Sequence, residues 1–297
     1  MSRQQEDTRD PGAPPVCLTM AGSDSSGGAG LQADLKTMAA LGVYGLSVVT
    51  AVTAQNTRGV SAVFELPAEA VRAQLEALFD DFTVSAAKTG MLATSAIVRA
   101  VAERWRSLTA PPPLVVDPVL ASSSGRSLLA PEAIEALRRE LLPLATVLTP
   151  NRGEAEILSG CAIRERGDLA DAGASLLALG PHAVVIKGGH LEGGDFDPAL
   201  AEDFLFTDGG MRAFPAPRLE TRATHGTGCT FSAALCAWLA RGLPVAEATG
   251  KAKAYLTAAI SHGLPLGHGH GPADHFYFLS DRTDGSESPR SRRQPGP

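Results

Sequence analysis

Short apolar runs alternate with segments of helical periodicity along most of the chain, and no other feature of the sequence constrains the fold as strongly. Runs long enough for sheet strands lie at residues 16–20, 44–52, 83–90, 113–119, 145–150 and 182–189. Segments with apolar residues at three- and four-residue spacing, typical of helices that pack on a sheet, lie at 29–41, 67–79, 95–106, 131–141, 154–158 and 169–179. This alternation predicts βαβ units and therefore an α/β fold with a mainly parallel sheet.

The last third of the chain departs from this pattern. Two strand-like pieces, 203–208 and 211–217, are joined at Gly209-Gly210 and are predicted to form a hairpin at a sheet edge. Two helical segments follow, at 228–240 and 245–261.

The composition predicts one large domain between two tails. The chain has 297 residues, of which 44% are hydrophobic, and this is enough to bury a substantial core. We assign residues 16–280 to a single domain. Residues 1–15 and 281–297 are rich in Pro, Ser, Gly and charge, and are predicted to be disordered tails because they bury too little apolar surface.

Charge and cysteine content exclude several classes of protein. The net charge of −6 offers no basic surface for nucleic acid. The four cysteines form neither a CxxC pair nor a zinc-binding spacing, which indicates a reducing compartment. No segment reaches the roughly 18 apolar residues of a membrane span. We therefore expect a cytoplasmic protein with no nucleic-acid or membrane partner.

A glycine-rich segment, AGSDSSGGAG at 21–30, directly follows the first predicted strand. Ligands of open α/β sheets collect at the carboxyl ends of parallel strands, and a helix N-terminus favours an anion there. A flexible loop is the alternative interpretation. The weak dinucleotide fingerprint Gly28-x-Gly30-x-x-Ala33 lies too far beyond the strand, and a Walker A sequence is absent, so another anion site must hold any nucleotide.

Carboxylates follow two neighbouring strands, where Asp117 ends the fourth run and Glu154 closely follows the fifth. Together they could hold Mg²⁺ through water, as phosphoryl transfer requires, while Asn151 could bind phosphate or a metal-bound water. A turn residue at 117 and a helix-capping acid at 154 are the simpler alternatives. After the sixth run, Lys187-Gly-Gly-His190 could contact nucleotide phosphates, or Lys187 could be an ordinary surface lysine.

A second glycine segment, Thr224-His-Gly-Thr-Gly-Cys-Thr230, leads directly into an apolar helix. The backbone N–H groups of Gly226, Thr227 and Gly228 could form an anion hole for a transferring phosphoryl group. Cys229 lies where the helix dipole would lower the pKa of a thiol, so we expect it to be partly thiolate. A buried, inert cysteine is the alternative.

These segments, in this order, resemble the ribokinase-like superfamily and match its hydroxymethylpyrimidine/phosphomethylpyrimidine kinase branch. The resemblance extends from Val16 to Leu279 and includes TAQNT (53–57), AAKTGML (86–92), DPV, TPNRGEAE, IKGGH, HGTGCTFSA and GHGPADHF (269–276). It implies a three-layer α/β/α sandwich. It also implies a homodimer that uses ATP and Mg²⁺ to phosphorylate 4-amino-5-hydroxymethyl-2-methylpyrimidine, and then its monophosphate, in thiamine biosynthesis.

The resemblance also implies roles for individual residues. The pyrimidine pocket would contain Gly22, Asp34, Gln55 and Met91, with the Gln55 amide offering a donor and an acceptor to the aminopyrimidine edge. Asn151, Lys187 and Thr227 would bind the nucleotide. Asp117 and Glu154 would hold the metal. The catalytic residues would be Lys187, Gly226, Thr227, Gly228 and Cys229. Many ribokinase relatives have an aspartate base where this chain has Cys229, so the identity of the base stays open.

Other functions remain compatible with the sequence. Pyridoxal or pyridoxine kinase, alone or as a second activity, is the nearest, because that vitamin also presents a hydroxymethyl group on a nitrogen heterocycle. A non-catalytic nucleotide- or pyrimidine-binding regulator would not need the intact phosphate-binding segments. A dehydrogenase would need the weak dinucleotide fingerprint to be functional.

Overall fold

The computed structural model describes residues 12–121, 128–189 and 193–280, and a nine-stranded sheet runs through the centre of this part of the chain. The strands are β1 (Val16–Asp24), β2 (Tyr44–Asn56), β3 (Gly59–Glu65), β4 (Ala86–Thr89), β5 (Leu114–Val116), β6 (Val147–Leu148), β7 (Ala183–Ile186), β8 (Leu200–Thr207) and β9 (Gly210–Pro217). Their order across the sheet is β3-β2-β1-β4-β5-β6-β7-β8-β9. The predicted tails lie largely, and His190 entirely, outside the described residues.

The six strands predicted from the apolar runs form the parallel centre of the sheet, from β2 through β7. The predicted hairpin is also present, since β8 and β9 are antiparallel neighbours at one edge. At the other edge, β3 pairs antiparallel with β2 and was not predicted. Its residues are all half-buried or exposed, so it lacks the apolar run that marks the central strands.

Helices follow the predicted segments closely. Their bounds are α1 (Gly30–Ala40), α2 (Ala68–Asp81), α3 (Ser95–Ser107), α4 (Pro131–Ala136), α5 (Arg152–Ser159), α6 (Asp168–Leu177), α7 (Thr227–Ala240), α8 (Val245–Ser261) and α9 (Tyr277–Ser280). The segment predicted as one helix at 131–141 is α-helical only through Ala136 and continues as a π-helical turn, Leu137–Leu141. Pro143 then ends the helix within a 3-10 turn, because proline cannot donate a helical hydrogen bond.

Two apolar layers cover the sheet, which confirms the three-layer α/β/α sandwich. On β5, Val115 packs into the layer that contains residues of α7 and α8, whereas Leu114 and Val116 point into the layer built largely from α2 to α6. This alternation follows from the two-residue period of a strand that is covered on both faces. None of the described helices is long and apolar enough to span a bilayer.

A buried ion pair lies between β4 and α1, just below the carboxyl ends of the central strands. Lys88 Nζ is 2.9 and 3.0 Å from the two carboxylate oxygens of Asp34, and both side chains are fully buried. Thr19 on β1 donates a further hydrogen bond of 2.6 Å to Asp34. Burial alone would lower the pKa of Lys88, but the Asp34 carboxylate outweighs it and raises that pKa. The pair therefore ties α1 to two central strands.

We predict that Lys88→Met destabilises the protein, because it leaves the Asp34 carboxylate buried without a counter-charge. Breaking one partner of such a pair costs about 3–5 kcal/mol of unfolding free energy, measurable by urea denaturation. Lys251→Met serves as a control, since this exposed lysine loses only a cation–π contact with Trp238, worth about 0.5–1 kcal/mol. Unchanged stability of Lys88→Met would show that Asp34 carries no charge in the folded protein.

Candidate active site

The carboxyl ends of the parallel strands open into a cavity of about 910 Å³. β1 has β2 on one side and β4 on the other, so the order of the strands reverses at β1. Open α/β sheets bind ligands at the carboxyl ends of the strands next to such a reversal. All the predicted site residues except Asp34 line this cavity. They are Gly22, Gln55, Met91, Asp117, Asn151, Glu154, Lys187, Gly226, Thr227, Gly228 and Cys229.

Asp24 organises the glycine segment that follows β1. Its carboxylate accepts hydrogen bonds from the backbone N–H groups of Ser26 (2.8 Å), Gly28 (3.2 Å) and Ala29 (2.8 Å). The imidazole of His225 lies 2.8 Å from the same carboxylate. Burial raises the pKa of Asp24, but the hydrogen bonds from His225 and Ser26 outweigh it and hold the pKa below its usual value. Asp24 is therefore an ionised turn-former that also holds the second glycine segment.

The two glycine segments pack backbone against backbone. Gly226 has a φ of 77°, and a Cβ at this position would lie 1.9 Å from the carbonyl oxygen of Gly28. A Cβ on Gly28 would lie 2.3 Å from the ring of His225. A side chain at residue 226 would therefore displace the backbone of Gly28, and one at residue 28 would displace the ring of His225. The contact sets where α7 begins, with its first N–H groups at the cavity, where they can form an anion hole.

Cys229 is the third residue of α7 and lines the cavity. The expectation of a partial thiolate is wrong. Burial raises the pKa of the Cys229 thiol to about 11, and the attraction of Lys88 does not compensate for it. Desolvation disfavours the charged form more than the helix N-terminus favours it, so the thiol is protonated at neutral pH.

Lys187, at the end of β7, is a mostly buried cation rather than a surface lysine. Its Nζ lies 2.8 Å from Asp117 Oδ1, and Ser232 Oγ donates to the other oxygen of Asp117 at 3.2 Å. Burial alone would lower the pKa of Lys187, but Asp117 and Glu154 raise it. A Cβ on Gly228 would lie 3.3 Å from Nζ, so this positive charge stands beside the first turn of α7.

Glu154 and Asn151 form a reciprocal capping box at the start of α5. Asn151 Oδ1 accepts from Glu154 N at 3.0 Å, and Glu154 Oε2 accepts from Asn151 N at 2.9 Å. The other oxygen of Glu154 accepts from Leu120 N at 3.2 Å, and burial raises the pKa of Glu154. The capping role considered in the sequence analysis is therefore present, and it leaves the carboxylate facing the cavity.

The acid pair fits a magnesium ion that is held mainly by other ligands. Among the described residues, no group of three or more His, Cys, Asp or Glu side chains could enclose a metal. Mg²⁺ commonly keeps several waters and takes only one or two carboxylates together with substrate phosphates. Asp117 and Glu154 supply two buried carboxylates in the same cavity, which meets this requirement.

Gly22, Met91 and Gln55 line the cavity from β1, from the segment after β4 and from β2. A Cβ on Gly22 would be 3.3 Å from Met91 Sδ, so glycine leaves room beside the methionine. Asp34, predicted to contact the pyrimidine, is fully buried and its carboxylate is engaged below the cavity floor by Lys88 and Thr19. The structure does not bring Asp34 to the cavity surface.

A second buried ion pair, between Lys253 and Asp203, was not predicted from the sequence. Lys253 Nζ lies 3.1 Å from Asp203 Oδ1, which also accepts from Gly188 N at 2.8 Å. The pair thus holds the turn that follows Lys187. A signal did exist, because Lys253 lies on the face of α8 that buries Thr249, Ala252 and Ala259, and a charge within an apolar helix stripe needs a partner.

A helix N-terminus and a buried lysine that share one cavity are suited to stabilise a phosphoryl group in transfer. With the three-layer sheet around them, they define a small-molecule kinase of the ribokinase-like class. Comparison with known proteins narrows this class. The sequence model of the phosphomethylpyrimidine kinase family matches residues 24–274, and the chain belongs to that family.

Two relatives carry the name of this family, and a third shares the fold under another name. The chain is 52% identical over 272 residues to hydroxymethylpyrimidine/phosphomethylpyrimidine kinase of Streptomyces coelicolor, covering 91% of this chain and 98% of the relative. It is 43% identical to the phosphomethylpyrimidine kinase of Clostridium difficile 630 (TM-score 0.73, 83% and 99% of the two chains). It is 36% identical to the pyridoxal kinase of Staphylococcus aureus in complex with AMP-PCP and pyridoxal (TM-score 0.80, 90% and 96%).

We predict that Gly226→Ala nearly abolishes activity, because the new methyl group would push α7 away from Gly28 and displace the anion-hole N–H groups. Loss of one such donor costs about 10²–10³ in kcat. Gly160→Ala is the matched control, since Gly160 has a φ of 76° but nothing lies within 4 Å of a Cβ there. That variant should lose about 1–2 kcal/mol of stability and keep its kcat. Equal kcat values for the two variants would contradict the role of the loop contact.

Proposed function

We propose that this chain catalyses ATP-dependent phosphorylation of 4-amino-5-hydroxymethyl-2-methylpyrimidine, and then of the monophosphate to the diphosphate, as a step of thiamine biosynthesis. The observation that carries this proposal is one continuous cavity in which Gln55 and the anion hole of Gly226–Gly228 both take part. The name of the Streptomyces coelicolor relative supports both phosphorylation steps.

The order of strands along the sheet supports a division of the cavity into two ends. Gly22, Gln55 and Met91 come from β1, β2 and the end of β4, and would bind the pyrimidine. The other end, beyond β5, carries Asn151 and Lys187 for the phosphates. Apolar side chains line that end and offer a surface for a purine ring; they are Leu219, Leu256 and Ile260. The anion hole and Thr227 would lie between alcohol and nucleotide.

The residues present are those that a loose phosphoryl-transfer transition state requires. Such a transition state is stabilised mainly by in-line positioning and by neutralisation of charge on the phosphoryl oxygens. The N–H groups of the anion hole and the Lys187 ammonium would supply that neutralisation. Mg²⁺, held by Asp117 and Glu154 through water, would add positive charge on the nucleotide phosphates.

Cys229 fits this scheme as a protonated group. With a pKa of about 11, its thiol does not act as a base at neutral pH. We propose that it positions the hydroxymethyl group of the substrate in line with the nucleotide. Because the transition state is loose, the alcohol proton need not be removed before the phosphoryl group begins to move.

The direct test of the proposed function is product analysis by mass spectrometry. The enzyme is incubated with ATP and Mg²⁺ and, in separate reactions, with the hydroxymethylpyrimidine, its monophosphate and pyridoxal. We expect monophosphate and diphosphate from the first reaction and diphosphate from the second. Replacement of Mg²⁺ by EDTA should stop both, because the nucleotide phosphates then lose their counter-charge.

The pyridoxal reaction distinguishes the second candidate. The Staphylococcus aureus pyridoxal kinase shares the fold at 36% identity, so the scaffold is compatible with that substrate. Turnover of pyridoxal without turnover of either pyrimidine would overturn the proposed function. Turnover of all three would add a second activity.

We predict that Cys229→Ala lowers kcat for the alcohol substrate and leaves the shape of its pH profile unchanged between about pH 6.5 and 9. The thiol pKa of about 11 lies above this range, so the thiol is protonated in all of it. If Cys229 were a base with a lowered pKa, the kcat of the wild type would rise with pH in this range and that of the variant would not. Such a rise would restore the thiolate hypothesis, and a wild-type kcat in Cys229→Ala would remove any role for the side chain.

The assembly and location of the protein remain predictions. The homodimer rests on the resemblance to ribokinase-like enzymes, and light scattering on the purified chain measures it. The cytoplasmic location rests on the cysteine pattern and on the lack of an apolar span in the sequence.

A further inference from the structure

The amide of Gln55 is held between two polar side chains at the pyrimidine end of the cavity. Its oxygen lies 3.1 Å from Thr53 Oγ1, and its nitrogen lies 3.4 Å from His225 Nε2. Thr53 is buried on β2, and His225 is buried in the second glycine segment. These two neighbours therefore decide which amide atom points in which direction.

His225 Nε2 offers no acceptor to the amide of Gln55. Its Nε2 lies 2.8 Å from Asp24 Oδ2, an ionised carboxylate that accepts hydrogen bonds and cannot give one. Nε2 must therefore carry a hydrogen, whether the imidazole is neutral or charged. An amide nitrogen is also a donor only, so the arrangement with nitrogen toward His225 sets two donors face to face.

The contacts of Thr53 also favour an amide that is turned over, with its nitrogen toward Thr53. Its hydroxyl has a single hydrogen and lies 3.0 Å from the carbonyl oxygen of Ser23, which can only accept. With the amide oxygen of Gln55 toward Thr53, two acceptors compete for that hydrogen. If the amide is turned over, Thr53 donates to Ser23 and the Gln55 nitrogen donates to Thr53. The Gln55 oxygen then faces the Nε2 hydrogen of His225, which it shares with the nearer Asp24 carboxylate, so no two donors are left face to face.

We propose that Thr53 and His225 fix the Gln55 amide with its oxygen toward His225 and its nitrogen toward Thr53, and that they thereby set the orientation of the substrate ring. The inference rests on the proposed function. The free edge of the amide then offers an acceptor on the His225 side and a donor on the Thr53 side. An aminopyrimidine matches this edge, because its amino group can donate to the amide oxygen and its adjacent ring nitrogen can accept from the amide nitrogen.

The order of the two groups matters because the ring is not symmetric. Reversal of the amide would require the pyrimidine to turn over to keep both hydrogen bonds. Its hydroxymethyl group, which neighbours the amino group, would then move to the opposite side of the ring. A bidentate pair in a fixed order therefore selects the pose in which the hydroxyl faces the anion hole. Thr53 and His225 are thus positioning residues that act through Gln55.

The test is a double-mutant cycle between Thr53→Val and Gln55→Ala, read as kcat/KM for the hydroxymethylpyrimidine. Valine keeps the shape of threonine and removes its oxygen. In the wild-type background we expect Thr53→Val to lower kcat/KM about three- to tenfold, the worth of one hydrogen bond. In the Gln55→Ala background the same change should cost less than about twofold, because the amide that Thr53 orients is gone. Thr53→Ser should restore wild-type kcat/KM.

A matched control is Thr249→Val, a buried threonine on α8 whose hydroxyl bonds only the carbonyl oxygen of Val245 in its own helix, at 2.8 Å. It should keep wild-type kcat/KM. Equal losses from Thr53→Val in both backgrounds would mean that Thr53 only supports β2, and would overturn the inference while the proposed function stands. No turnover of the pyrimidine by the wild type would overturn the proposed function itself, and the inference with it.

Discussion

The site depends on the close approach of two backbones, that of Gly28 after β1 and that of Gly226 before α7. A Cβ at residue 226 would overlap the Gly28 carbonyl, so the first N–H groups of α7 can approach the end of β1 only because both segments lack side chains at the contact. Asp24 holds the arrangement, since its carboxylate binds the first segment through backbone N–H groups and the second through His225. One acidic residue thus links the two glycine segments.

Buried charge is balanced in pairs around this contact. Lys88 neutralises Asp34 below the cavity, Lys187 neutralises Asp117 at its wall, and Lys253 neutralises Asp203 behind the turn after β7. Buried charges persist only when they are paired and hydrogen-bonded. Each pair also joins elements that are distant in sequence, so the same interactions that make the charges tolerable fix the positions of the strand ends. Of these cations, Lys187 stands beside the first turn of α7, where a phosphoryl group would need it.

The sequence predicted the parallel centre of the sheet, the β8–β9 hairpin and most of the cavity lining, because these depend on local patterns. Apolar runs report burial on both faces, and glycine or polar residues after a run report a strand end. The edge strand β3 carries no such run and was missed. The position of Asp34 depends on its ion pair with Lys88 on a distant strand, and the pKa of Cys229 depends on burial by the folded chain; no local pattern contains that information. Lys88 does lie within an apolar run of the sequence, and a charge there indicates a buried ion pair that was not predicted.

A protonated cysteine at residue 229 is consistent with the charges around it. Burial raises the pKa of this thiol most, Lys88 opposes the shift, and the carboxylates of Asp34 and Asp117 add to it, so an ionised group at the position would be desolvated and close to two carboxylates. It would also face the negative oxygens of the phosphoryl group in transfer. A neutral thiol fills the same space without that repulsion, and leaves Lys187 and the N–H groups of α7 free to stabilise the transferred group. The absence of an aspartate base is therefore compatible with phosphoryl transfer when positioning, rather than proton removal, controls the barrier.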